Sequence, residues 1–100
     1  MIKQGEKIFE IRLNDEKRKL IKVGDKIKFF MFENLDKSFV CSVTDLLYFK
    51  NFDEMINSLS PTSIGMKGLS AFQIKNIYRE FYTLEDEQKY GVIAIKLNIV

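Results

Sequence analysis

The chain has 100 residues, of which 46% are hydrophobic and 30% charged, and these values are typical of one soluble globular domain. One cysteine and no histidine exclude an internal disulfide, a multi-cysteine zinc site and the Ser-His-Asp and Cys-His nucleophile systems. We therefore expect no metal and no cofactor. We also expect a cytoplasmic protein without a membrane span, because the sequence has neither a long apolar stretch nor an N-terminal hydrophobic signal core.

Positive charge is concentrated near the N-terminus. Residues 1–28 hold nine Lys and Arg against five Asp and Glu, whereas residues 29–100 hold seven against nine. A basic segment of this kind is typical of a protein that binds a polyanion such as RNA. A solvated, lysine-rich surface would give the same counts, so charge alone leaves both interpretations open.

The first half of the chain is predicted to contain three strands. β-Branched and aromatic residues indicate a strand over residues 7–13, whose alternation gives one apolar face and an opposite face that carries Glu10 and Arg12. A short charged turn or helical segment over residues 15–20 leads to a second strand over 26–33. A hairpin over 34–37 then connects to a long strand over 38–49. There Cys41 is expected to be an ordinary apolar strand residue, with Leu46 on the opposite face.

The second half is predicted to contain helices followed by a last strand. Asn51 is a good N-cap for a helix that ends before Pro61, and Ser70 with Gln73 forms a capping box for the next helix. Thr83 begins one further turn, and residues 92–100 alternate as a strand. This order predicts a single α+β domain over residues 1–100, with a small, mostly antiparallel sheet. The core-facing stripe of the second helix is expected to be Ile74, Ile77, Tyr78 and Phe81.

The densest group of polar side chains lies at the predicted first strand. Glu10 and Arg12 stand among apolar neighbours, so their charges need to be paired, hydrated or bound to a ligand. An ion pair on an exposed sheet face is the simple interpretation. The functional interpretation is a cleft in which Lys7 and Arg12 attract a phosphate or carbonyl oxygen, while Glu10 accepts a ligand N–H or acts as a base.

These residues form the pattern Gly5-x-Lys7-x-x-Glu10-x-Arg12, which resembles the Gly-x-Lys-x-x-Glu-x-Arg signature of the ASCH domain family, a branch of the PUA-like superfamily. Residues 12–18 (RLNDEKR) and 21–25 (IKVGD) are similar to runs found in the small single-domain prokaryotic members. Residues 81–82 (FY) and 89–95 (KYGVIAI) resemble their closing motif. The matches occur in the right order at both ends and span nearly the whole chain.

The resemblance implies a small, mostly antiparallel PUA-like β-barrel with flanking helices and a cleft beside the signature strand. It also implies an RNA, nucleotide or nucleoside ligand, held by Lys7, Glu10 and Arg12. Lys17 and Arg18 are further candidates, which would line a path for phosphate, although a solvated charged turn explains them equally well.

The tyrosines are candidates for stacking on a base, since an aromatic ring stacks on any nucleobase. Tyr90 is the preferred ligand contact because it lies in the closing motif. The position of Tyr78 on a helical stripe favours a place in the core instead. For Tyr48 and Tyr82, the sequence does not decide between stacking on a base and packing in the core.

Two other functions compete with RNA or nucleotide binding. A few small relatives of this family are amidohydrolases that deacetylate N4-acetylcytidine with a lysine, a threonine nucleophile and a glutamate. Lys7 matches that lysine, but Glu10 stands at the threonine position, so an enzyme would need a water nucleophile with Lys7 and Glu10 as its acid–base pair. Alternatively, the polar strand face contacts another subunit. We rank binding first, and the sequence leaves open whether the protein is an enzyme.

Overall fold

The computed structural model describes residues 7–30 and 37–99, and within them four strands form one antiparallel sheet accompanied by three helices. The predicted α+β class and order of elements are confirmed. The end of the predicted second strand and most of the hairpin fall on residues 31–36, outside the described residues. The elements are β1 (Phe9–Leu13), β2 (Lys26–Phe30), β3 (Ser38–Phe49), α1 (Phe52–Ser58), α2 (Ala71–Phe81), α3 (Leu84–Tyr90) and β4 (Val92–Ile99), with 3₁₀ turns at Arg18–Leu20 and Thr62–Ile64.

The sheet is covered by apolar side chains on both faces. Its strand order is β1-β4-β3-β2, so β4 lies inside the sheet and β1 and β2 form its edges. Along β4, Val92 and Ala94 pack against the helices, whereas Ile93, Ile95 and Leu97 pack on the opposite face. This alternation agrees with the predicted strand pattern and explains why residues 92–95 are all buried.

The helices pack on one face of the sheet and begin at the predicted caps. Asn51 Oδ1 accepts a hydrogen bond from Glu54 N at 2.8 Å, and Ser70 and Gln73 form both halves of a capping box. The rings of Phe52 and Tyr78 stack with their centroids 4.8 Å apart in the core between α1 and α2. Within the described ranges, no helix is long and apolar enough to cross a membrane.

Phe81 departs from the predicted core-facing stripe of α2. Ile74 and Tyr78 are buried as predicted, but Phe81 is 73% exposed. It is the last residue of α2, and at this end of the helix the place against α1 is taken by the next residue, Tyr82, whose ring stacks on Phe52 with centroids 5.6 Å apart. The prediction that Phe81 belongs to the core is therefore wrong.

A β-bulge in β3 also reverses the predicted faces of its second half. The pairing of β3 with β4 shifts register between Val43 and Asp45, which leaves Thr44 as an extra residue. Because one extra residue moves every later side chain to the other face, Leu46 packs with Cys41 and Val43 instead of opposite them. Cys41 itself is a buried strand residue as predicted, and burial raises the pKa of its thiol, which keeps it protonated.

Candidate functional site

The two edge strands of the sheet line a common cavity of about 430 Å³. In a flat sheet of four strands, β1 and β2 would lie about 14 Å apart, which is three strand spacings of roughly 4.8 Å. Residues from both edges reach one cavity because the sheet curls into a half-barrel. We call this space the sheet cavity. Its volume lies within the range of roughly 300–1,000 Å³ that small ligands occupy in proteins, and its apolar lining is Ile21, Ile27, Phe29 and Ile95.

The polar lining of the sheet cavity is predominantly basic. Four basic side chains face two acidic ones, and all six come from the first 28 residues. The six groups carry a net charge of +2, so half of the +4 excess of residues 1–28 lies at one concave site. The basic residues are Arg12, Lys17, Arg18 and Lys26, and the acidic ones are Glu10 and Asp25.

Glu10 lies at the centre of an ion triad on β1. Its Oε1 is 2.5 Å from Arg12 Nη1, and its Oε2 is 3.3 Å from Lys7 Nζ. Only 14% of the Glu10 side chain is exposed, against 38% for Arg12. The ion pair and the cleft, which the sequence offered as alternatives, therefore occur together: the carboxylate is paired, and the paired groups line a cavity.

The backbone of β1 determines where these side chains lie. Glu10 and Arg12 pair with Ile95 and Ile93 of β4, so they project from the same face of the sheet as these two residues. Within residues 7–30 and 37–99, no strand pairs with the outer edge of β1, and the Ile11 carbonyl accepts a hydrogen bond from Arg12 Nη1 at 2.9 Å. The Arg12 guanidinium therefore donates to the Ile11 carbonyl at the sheet edge and also neutralises the Glu10 carboxylate.

Lys7 is positioned by the 3₁₀ turn Thr62–Ile64 and the glycine that ends it. The amide of Ile8 donates to the Ser63 carbonyl at 2.9 Å, which fixes the start of β1 against this turn. Gly65 has φ +80°, and a Cβ atom there would lie 2.8 Å from Lys7 Cδ. Because glycine lacks that atom, the lysine stem can lie against the turn with its ammonium directed at Glu10.

A second cavity, of about 400 Å³, lies on the helix side of the β1 edge. It shares Glu10 and Arg12 with the sheet cavity, and we call it the helix cavity. Its charged lining is completed by Lys7. The apolar and aromatic lining consists of Ile11, Ile64, Met66, Ile77, Tyr78, Phe81 and Tyr82.

Tyr78 contributes to both the core and the helix cavity. Burial, and next the negative charge of Glu10, raise the pKa of Tyr78 to about 12, while Arg12 opposes this shift. The phenol therefore stays protonated at any physiological pH and can donate a hydrogen bond. The prediction that Tyr78 is a core residue agrees with its stacking on Phe52.

Lys17 and Arg18 occupy the charged segment that the sequence indicated between β1 and β2. Asp15 caps this segment: its Oδ1 accepts from Arg18 N at 3.0 Å, and its Oδ2 lies 3.4 Å from Arg18 Nη1. Lys17 is exposed and pairs with no acid in the part of the chain that the structure describes. The turn thus presents two cations at the rim of the sheet cavity: Arg18, which Asp15 holds, and Lys17, which is exposed to solvent.

Tyr90 lies apart from the other predicted ligand residues. It ends α3, is partly buried against the helix-side core, and has Lys89 Nζ 5.0 Å from its ring centroid. Among the described residues it lines neither the sheet cavity nor the helix cavity. Its role as a ligand contact stays a prediction, while Lys7, Glu10, Arg12, Lys17 and Arg18 are brought together at the two cavities.

Sequence reasoning missed the wall that β2 contributes. Asp25, Lys26 and Phe29 line the sheet cavity opposite β1. Phe29 stacks on Phe39 of β3 with centroids 5.4 Å apart, which holds its ring in the wall. The available signal was the basic count of residues 1–28, which includes Lys26. No group of three or more His, Cys, Asp or Glu side chains suited to a metal ion occurs in residues 7–30 and 37–99.

Comparison with known proteins identifies the family. The chain matches the ASCH domain over residues 1–100, and it belongs to the ASCH domain family. The crystal structure of hypothetical protein PH0355 is similar, with 34% sequence identity and a TM-score of 0.85 over 99% of this chain and 87% of that one. The solution NMR structure of protein PF0455 from Pyrococcus furiosus has 33% identity and a TM-score of 0.75 over 99% and 86% of the two chains. None of the curated proteins matches this chain with significant similarity.

Proposed function

We propose that this ASCH domain binds RNA and holds one nucleotide unit in the sheet cavity. The observation that carries the proposal is the concentration of four basic side chains, against two acidic ones, on a cavity of about 430 Å³ that also has an apolar wall. A nucleotide has matching chemistry, because it joins an anionic phosphate to a flat, largely apolar ring system. Membership of the ASCH domain family supports a role in RNA binding.

Each part of the cavity has a distinct role in this proposal. Arg12, Lys17 and Arg18 contact phosphate oxygens. Arg12 uses one terminal nitrogen for Glu10 and the Ile11 carbonyl, so the rest of its five donors stay available at a side chain that is 38% exposed. Ile27 and Phe29 contact the flat face of the base, and Glu10 accepts an N–H from the base edge.

A ligand titration followed by ¹⁵N-HSQC spectra tests the proposal. The ligands are AMP, CMP, N4-acetylcytidine and a short single-stranded RNA, each at two salt concentrations. We expect chemical-shift changes at Arg12, Arg18 and Ile95, and an RNA affinity that falls as salt rises because bound phosphates release counterions. Shifts confined to other surfaces, or no shift with any ligand, would refute the proposal.

Two single charge removals give a matched comparison. Arg12→Ala is expected to weaken binding of AMP at least fivefold, since it removes a charged phosphate contact. Lys50→Ala removes the same formal charge from an exposed position outside both cavities and should leave the affinity within about twofold, because distant exposed charges are screened. Equal effects of the two substitutions would mean that only the net charge matters.

The proximity of Lys7 and Glu10 supports one second candidate, hydrolysis of a modified nucleoside. Lys7 Nζ lies 3.3 Å from Glu10 Oε2, close enough for the pair to activate water and protonate a leaving amine. N4-acetylcytidine and water would give cytidine and acetate. Mass spectrometry of the titration samples detects that conversion, which Glu10→Gln should abolish. An unchanged nucleoside after prolonged incubation would exclude it.

A further inference from the structure

We infer that the helix cavity is a second subsite, which takes the base of the nucleotide next to the one in the sheet cavity. This inference rests on the proposed function and specifies its ligand: a strand of at least two nucleotides instead of a mononucleotide. The two cavities lie on opposite sides of the β1 edge and share Glu10 and Arg12 as their common wall. A ligand that occupies both must cross that edge.

The common wall has the charge that a linking phosphate requires. Arg12 lines both cavities, and Lys7 lines the helix cavity, so two cations flank the single carboxylate of Glu10 at the crossing point. Both cations are partly exposed, with 38% of the Arg12 side chain and 23% of the Lys7 side chain reaching solvent. An anionic bridge between two ring systems fits this arrangement better than a neutral one.

The far wall of the helix cavity offers aromatic surface. Tyr78 and Tyr82 are both stacked on Phe52, with centroid distances of 4.8 and 5.6 Å, so their rings have fixed orientations. Phe81 lines the cavity yet remains 73% exposed, which leaves one large ring available for stacking at its mouth. Stacking of a base on such a ring tolerates any sequence, because every base has a π-face.

A peptide side chain or a second copy of this chain would also cover an exposed phenylalanine. The position of Lys7 and Arg12 at the crossing favours the nucleotide, since an apolar partner would leave these charges facing apolar surface. The helix cavity also adjoins the sheet cavity at the shared residues Glu10 and Arg12, so the two cavities can hold successive nucleotides of one strand. A change in oligomeric mass is the outcome that would indicate a second copy.

The test compares AMP with the dinucleotide pApA, which carries the same 5′-phosphate and one further nucleotide. We expect pApA to bind roughly tenfold or more tightly than AMP, as one added base stack allows. Chemical-shift changes at Lys7, Tyr78 and Tyr82 should appear with pApA and be absent with AMP. Isothermal titration calorimetry and ¹⁵N-HSQC spectra of the whole chain provide both readouts.

Two exposed phenylalanines of α2 provide the matched variants. Phe81→Ser should abolish the advantage of pApA over AMP and leave AMP binding unchanged. Phe72→Ser replaces a ring that is 74% exposed on the same helix but lines neither cavity, so the advantage should persist. Sedimentation of each variant reports its oligomeric mass.

The outcomes separate this inference from the proposed function. Equal affinities of AMP and pApA, with shifts only around the sheet cavity, would refute the second subsite and leave the first intact. A pApA advantage that survives Phe81→Ser, or a change of oligomeric mass caused by that substitution, would also refute the subsite. If neither ligand binds, both the proposed function and the inference fail.

Discussion

Arg79 and Glu87 form a partly buried ion pair that ties the three helices together. Arg79 Nη2 of α2 lies 2.5 Å from Glu87 Oε1 of α3, and only 3% of Glu87 is exposed. The other carboxylate oxygen accepts a hydrogen bond from the Phe52 amide at 2.8 Å. Phe52 is the first residue of α1, and its amide has no carbonyl partner within its own helix. The Glu87 carboxylate therefore accepts a hydrogen bond from the first amide of α1 and also pairs with the Arg79 guanidinium.

Removal of this carboxylate is expected to destabilise the fold. Glu87→Ala leaves the Phe52 amide and the Arg79 guanidinium without their acceptor, and we expect the free energy of unfolding to fall by about 2–3 kcal/mol. A third of the Arg79 side chain reaches water, which keeps the loss below that of a fully buried pair. Urea unfolding measures it. Gln88→Ala, an exposed change on the same helix, should stay within about 0.5 kcal/mol. Equal losses would contradict a special role for Glu87.

Much of the fold follows from local sequence patterns. The caps Asn51 and Ser70, the alternation of β4 and the long strand β3 are each encoded within a few residues, and the structure contains all of them. The bulge at Thr44 is different. It depends on how β3 meets β4, which the sequence of β3 alone does not specify, and it reverses the predicted face of Leu46.

The candidate site likewise has one part that local sequence patterns predict and one part that they do not. Alternation along β1 places Glu10 and Arg12 on one face, so this half of the cavity could be predicted. Phe29 lies on the opposite edge strand and reaches the cavity only because the sheet curls, and curl is a property of the whole sheet. The link between Glu87 and Phe52 spans 35 residues and was likewise invisible to short-range patterns.

The charge of Glu10 is expected to restrain binding of phosphate. Glu10→Gln leaves Lys7 and Arg12 without their neutralising carboxylate, so the affinity for ribose 5-phosphate should rise about two- to fivefold at low salt and less at high salt. AMP should gain less, because its base loses a charged acceptor in the same substitution. Calorimetry with both ligands at two ionic strengths measures the difference.

The control for Glu10 is an exposed acid far from the cavities. Glu54→Gln removes the same charge from the first turn of α1 and should leave both affinities unchanged. If the affinity of the Glu10→Gln variant for ribose 5-phosphate equals that of the unmodified chain, Glu10 does not face the phosphate site.

Alkaline pH should lower the free energy of unfolding, and Tyr78 should contribute to this loss. An unfolded tyrosine loses its proton near pH 10, whereas burial and the charge of Glu10 raise the pKa of Tyr78 to about 12 in the folded chain. Between these values the unfolded state binds fewer protons, so stability falls as pH rises through this window and is fully retained below it. Thermal unfolding at about pH 8 and about pH 11 should show a smaller loss for Tyr78→Phe than for the unmodified chain.

The exposed Tyr48 serves as the comparison for Tyr78. Its ring is 60% exposed, so Tyr48→Phe should lose as much stability at high pH as the unmodified chain does. Every group that the three proteins share contributes equally to their pH dependence and cancels in the comparison. Parallel losses in all three would show that Tyr78 ionises as freely in the folded chain as in the unfolded one.

Alanine substitutions at two glycines of similar positive φ distinguish backbone strain from the positioning of Lys7. Gly65 has φ +80° and Gly68 has φ +84°, so alanine at either position should cost about 1–2 kcal/mol of stability. Only at Gly65 would the new methyl group meet Lys7, at 2.8 Å from Cδ, while nothing lies within 4 Å of it at Gly68. We expect Gly65→Ala to shift the amide resonances of Lys7 and Glu10 and to weaken pApA binding. Gly68→Ala should do neither, and matching spectra at Lys7 and Glu10 in the two variants would show that the turn does not hold the lysine in place.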